Sequence, residues 1–225
     1  MHIPWSDLSL IAAILGAILL AAATLDWRRR RRLKFIDTYH WPPGLMRRLG
    51  ERHPNLSATA IARVDDGLRQ YFRAFLRGGC RPVAMPSEVV DDLWHEFILY
   101  TREYDRFCEQ AFGRKLHHTP AVALAPNRKA SNEGLRRVWW QCCREEGIDP
   151  RAPASLPLLF ALDAELEITG GYRYHPDCEA LRDRGTAGAQ CGGDFSSVSF
   201  DGTTDGLGDG DGSGGDGGGG GCGGD

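Results

Sequence analysis

Nowhere does this chain alternate apolar and polar residues between turn signals over a strand's length, so nothing in it points to a sheet. Charge excess is missing too. The 27 lysines and arginines stand against 30 aspartates and glutamates, a net charge of -3, whereas a dedicated nucleic-acid binder usually carries a clear basic surplus. Familiar catalytic signatures are absent: there is no H-E-x-x-H, of which "WHEF" supplies only the first half. No G-x-S-x-G, P-loop or G-x-G-x-x-G precedes a helix, and the glycines of the tail match such patterns only by abundance. Seven cysteines occur without a C-x-x-C pair, and the adjacent Cys142 and Cys143 suit chelation of one ion poorly.

What is present is segregated along the chain. An apolar N-terminal run comes first, then a block of arginines, an ordinary globular middle, and a tail of glycine and aspartate. Leu8 to Leu25, "LSLIAAILGAILLAAATL", is 18 residues without a charge, close to the minimum for crossing a hydrocarbon core of about 30 Å. Trp5 and Trp27 sit where an interfacial aromatic belt would place them, and "RRRRRLK", Arg28 to Lys34, follows at once. Positive charge beside a span stays cytoplasmic, so the expectation is a single-pass anchor in the cell (inner) membrane, N-terminus outside and the rest cytoplasmic. A cleaved signal peptide would carry its basic residues before the apolar run rather than after it. The arginines also lie where anionic headgroups concentrate, although fixing topology is the more economical role for them.

Beyond the anchor (residues 1–27) and the polybasic segment (28–34), helical periodicity dominates. A short helix is expected around Leu45, Met46 and Leu49 after the Pro-Pro turn. A longer one carries Ile61, Val64, Leu68, Tyr71, Phe72 and Phe75 at spacings of three and four, and stops at Gly78-Gly79. Pro86 and Ser87, with acids following, mark the start of the strongest helix. Its stripe runs through Val90, Leu93, Trp94, Phe97, Thr101, Tyr104, Cys108 and Ala111 to Gly113. "HHTPAVALAPN" reads as a loop. A fourth helix buries Leu135, Val138, Trp139 and Cys142, and a fifth lies in "ASLPLLFALDAELEI". Residues 35–176 are thus expected to form a compact all-α bundle of five or six helices.

Residues 177–225 lack the apolar side chains to offset ordering entropy and are expected to be disordered. "DGDGSG", Asp209 to Gly214, begins like a calcium loop, but the twelfth position is Gly220 rather than a bidentate glutamate. Cys178, Cys191 and Cys222, in or near the tail, could oxidise or bind soft metals, but their wide spacing makes that signal unspecific. In a reducing cytoplasm, Cys108 and Cys142 read as core residues.

The candidate chemistry is on the main helix. Asp91 and His95 are four apart and share a face, a pairing that orients an imidazole for metal ligation or general base work. His117 and His118 lie just past the helix end, and a chain reversal there would return one of them. His95, His117 and His118 are therefore candidate ligands for zinc or another divalent metal, with Asp91 as orienter or base. The bland alternative is that Asp91 and His95 meet at a helix seam while the later histidines cap the helix end or bond loop carbonyls.

Pro86 to Pro120 resembles the glycine-rich domain-containing-protein-like family, in particular its small bacterial membrane-anchored members. Val90, Asp91, Trp94 and His95, then Tyr104, Phe107 and Cys108, then His117 and His118 carry the pattern. The likeness covers Leu56 to Gly171 and the composition of the tail, and it brings no established activity. Larger plant members are linked to stress responses and RNA association; this chain has no visible RNA-recognition segment, and its tail is rich in aspartate.

Two functions compete at this level. One is a membrane-tethered helical interaction module with a protein partner at the cytoplasmic face. The other is a metal-dependent, hydrolase-like enzyme built around Asp91 and His95. Nucleic-acid binding ranks third: Arg47, Arg48, Arg52, Arg63, Arg69, Arg73 and Arg77 make the early helices basic, but a solvated face close to anionic lipid explains them equally well.

Overall fold

The first helix, α1 (Trp5–Thr38), runs 34 residues without a break and does two jobs. Its apolar part is long and apolar enough to cross a membrane, and none of that window is covered by the rest of the chain. Its last three turns enter the protein. Ile36 is fully buried, and Phe35 packs on Tyr39 and Phe107. The computed structural model describes residues 5–118, 128–176 and 190–191. The tail from 177 therefore lies outside the described residues, Gln190–Cys191 excepted, as does most of the proline-containing loop after His118.

Six further helices follow among the described residues: α2 (Leu45–Arg52), α3 (Ala58–Arg77), α4 (Glu88–Leu99), α5 (Thr101–Phe112), α6 (Arg128–Glu146) and α7 (Leu158–Glu165). The fold is all-α, as periodicity and caps predict. A two-residue parallel pairing of β1 (Tyr174–His175) with β2 (Gln190–Cys191) is its one extended contact among the described residues. Helix α3 lies at the centre, against α1, α4, α6 and α7. Ser57 starts it by accepting from the Ala60 amide, which satisfies one of the helix's orphan donors. Gly67 lets α4 and α7 come close: a Cβ there would lie 2.5 Å from Leu162 Cδ1.

The buried side of α3 meets an aromatic cluster. Phe107 lies among Phe35, Tyr39, Phe72, Phe97 and Phe112, with ring centroids 4.8–5.7 Å apart, the range in which edge-on pairs add to simple burial. Polar ties close the bundle. Arg69 donates to the carbonyls of Ile36, Asp37 and Tyr39, capping the end of α1 while lying 4.7 Å above the Trp41 ring. Arg29 and Arg32 reach the carbonyls of Arg77 and Phe112, the last residues of α3 and α5. A cation is favoured there because the helix dipole leaves partial negative charge at a C-terminus. Two of the five arginines thus dock α1 onto the helices that follow.

One expectation needs correcting. The stripe from Val90 to Ala111 is two helices rather than one, divided at Tyr100. Tyr100 leaves helical geometry (φ -82, ψ 62), and its hydroxyl donates to Pro43 O at 3.1 Å. Thr101, expected on the buried face, is exposed. The apolar spacing continues in phase across the break, so periodicity alone could not reveal it.

Candidate metal centre

Helix α4 owes its placement to its first turn. Ser87 caps it by accepting from the Val90 amide. Beneath the cap lies Asp163 of α7, 1% exposed. It accepts from Ser87 Oγ and from the amides of Glu88, Val89 and Tyr172, all within 3.3 Å. A carboxylate buried against the N-terminus of a helix is stabilised by those amides and by the helix dipole. With Val89, Val90, Leu93, Trp94 and Phe97 turned inward, Asp91 and His95 are left together on the outer side, one turn apart.

The second element is the segment after α5. Gly113, at φ 71, ends that helix in a left-handed cap, a conformation that suits glycine. Trp94 Nε1 donates to Tyr104 Oη at 3.2 Å, and that hydroxyl donates to Leu116 O at 2.6 Å. Both rings are buried, and burial pushes the Tyr104 phenol's pKa well up, so it stays a donor. Side chains of an extended segment point alternately to opposite sides. Leu116 faces in, His117 is exposed, and His118 turns back against Trp94, their rings 4.6 Å apart. The four motif residues have plain positions: Trp94 and Tyr104 hold the loop, Phe107 centres the aromatic cluster, and Cys108 is buried with its thiol pKa raised mainly by that burial.

Asp91, His95 and His118 converge as a result. Each offers a ligand atom, and these atoms lie within 4.8 Å of one another. His118 Nε2 is 2.9 Å from Asp91 Oδ1, His95 Nδ1 is 3.4 Å from Asp91 Oδ2, and the two imidazole centroids are 4.1 Å apart. His117 is outside the group. Side-chain exposures of 45% for His95, 23% for Asp91 and 13% for His118 make one side open to solvent and the other walled by Trp94. Glu88, one turn before this group, has its pKa raised by partial desolvation and by the charges of Asp92, Asp91 and Asp163, while His95 acts to lower it. Two imidazoles and one carboxylate with open positions make a donor set suited to a divalent transition metal that also binds water or substrate.

Two neighbouring groups carry no obvious signal in the sequence. Asp163 sits in the apolar context "FALDAE", and nothing local marks it as the cap of a helix 75 positions away. Asp92 turns away from the cluster to pair with Arg52 and with His53, whose Nε2 is 2.8 Å from Asp92 Oδ2, and so ties α4 to α2. A periodicity argument places Asp92 on α4, but its partners come from another helix.

A family model described as UCP032817-like matches residues 31–195, which take in the end of α1, the helical domain and all three clustered residues. That description is of an uncharacterised family, and the expected glycine-rich domain-containing family finds no support in it. No curated protein and no solved structure matches this chain.

Proposed function

The chain belongs to the UCP032817-like family, and for this member we propose a membrane-anchored helical domain that holds a divalent transition metal on Asp91, His95 and His118. The observation that supports it is the convergence of those three donors from α4 and the following loop. In this reading Asp91 is a ligand rather than a base, since its two oxygens already face the two imidazoles. Three protein ligands leave positions for water or an oxygen-bearing substrate, the composition of a reactive rather than a structural site. A hydrolase-like reaction follows if bound water is the nucleophile, because a metal of this kind lowers the pKa of its water.

The apolar part of α1 supplies the membrane tether, and the basic block in the later turns of the same helix orients the domain to the cytoplasm. The interaction-module reading has less behind it: beyond α1, Leu99 is the large apolar side chain strongly exposed among the described residues.

The test is metal content. The full chain, purified in detergent without a histidine tag and reconstituted with zinc, manganese or iron(II), should retain about one ion per chain. His95→Ala and His118→Ala should each remove it, while His117→Ala should retain it. A wild-type protein that holds no ion under any of these conditions, yet is folded, rejects the proposal.

A further inference from the structure

A cleft of ≈ 500 Å³ opens where α1 leaves its apolar part, lined by Trp27, Arg28, Arg31, Arg32, Phe35 and Gln110. Five of these six share one helical face of α1, spaced three and four apart around 28, 31, 32 and 35. The sixth comes from α5, which packs beside that face through Phe35 and Phe107.

The charges in the cleft are unbalanced. Asp26, the nearest acid in sequence, is taken by Arg30. Arg31 lies over the Trp27 ring at 5.7 Å, and no ion pair engages Arg28 or Arg31 among the described residues. Arg32 is held in place by the Phe112 carbonyl. Three guanidinium groups therefore face one hollow, one of them pre-positioned, with an aromatic ring on either side along the helix. Guanidinium forks match phosphate oxygens in pairs.

The position of the cleft decides what kind of phosphate it takes. Going back along the same face, Thr24 and then Leu20 lie in the uncovered apolar window, and Leu20 is 68% exposed. A ligand with its phosphate among the arginines and its apolar portion along Leu20 satisfies both halves at once, whereas a free anion satisfies only one. Trp27 lies at the boundary, where indole rings favour the headgroup level.

We propose that this cleft binds one anionic phospholipid, its phosphate held between Arg28, Arg31 and Arg32 and its acyl chains lying along the Thr24–Leu20 face of α1. The proposal takes the membrane tether from the reading above and is independent of the metal centre. Carbonate extraction of cell membranes checks the tether separately, by whether the wild-type chain stays with the membrane.

The test uses the full chain in mild detergent, titrated with phosphatidylglycerol, phosphatidylcholine or inorganic phosphate and read by native mass spectrometry. One phosphatidylglycerol should be retained in preference to phosphatidylcholine. Arg28→Gln with Arg31→Gln should weaken retention on the order of 10-fold or more. Arg30→Gln with Lys34→Gln removes the same charge outside the cleft and should change retention less than about 2-fold. Equal weakening by both pairs would mean diffuse attraction and would overturn the site. Displacement by inorganic phosphate at lipid-like concentrations would make it a free-anion site and would overturn the lipid assignment.

Discussion

Asp163 and Asp91 flank the start of the same helix, yet they occupy opposite physical situations. Asp163 is 1% exposed and saturated by a hydroxyl and three amides. Asp91 is partly exposed and faces two imidazoles, groups that exchange a proton or accept a metal. A carboxylate whose acceptor sites are filled by donors that cannot leave is architecture. One whose partners can rearrange is free to do chemistry, and that difference separates the fold from the site here.

The comparison can be broken most forcefully at Asp163. Asp163→Ala leaves a buried hydroxyl and buried amides unpaired and should cost ~3–5 kcal/mol in a urea titration. A loss below about 1 kcal/mol would show that water takes over the cap and that Asp163 is not architectural. Next is Tyr104→Phe, which strands the Trp94 indole N–H and the Leu116 carbonyl. It should cost ~1–3 kcal/mol and weaken metal retention by releasing His118 from its place; unchanged metal affinity would separate the loop from the site. Asp91→Ala should move stability by no more than about 1 kcal/mol, since its contacts are partly exposed, while abolishing metal retention. A large loss of stability there would make Asp91 a structural residue like Asp163.

The smallest effect is at Glu88. Its pKa is raised by partial desolvation of its carboxyl and by the charges of Asp92, Asp91 and Asp163. A raised carboxyl contributes its stability at acidic pH and loses it as pH rises through the folded-state value. Glu88→Gln should therefore be slightly more stable than wild type at neutral pH, by a few tenths of a kcal/mol at this exposed position. The gap should close in acid. A gap that persists or widens in acid, measured by melting temperature against pH, would mean that the acidic field around α4 is not what acts on Glu88.

Much of the fold was legible because its causes are local. The stripe from Val64 to Phe75, the Ser87 cap, and the glycine stop after Phe112 each depend on residues within a turn or two. The break at Tyr100 was not, because a hydrogen bond to Pro43, 57 residues earlier, replaces helical continuity there. The role of Asp163 was hidden for the same reason. Within the site, the four-residue spacing puts Asp91 and His95 side by side without further help. Which of two adjacent histidines joins them depends on the path of the loop, and Tyr104 sets that path by holding Leu116.

The sequence by itself determined an all-α chain with one long apolar helix near its start, since helical periodicity and hydropathy are properties of neighbours along the chain. Only the tertiary structure decided that the stripe after Ser87 is two helices, that the basic block docks through Arg29 and Arg32, and that His118 rather than His117 meets Asp91. Those outcomes depend on distances between residues 27 to 80 positions apart, and such distances are fixed by packing and buried hydrogen bonds that no local pattern contains.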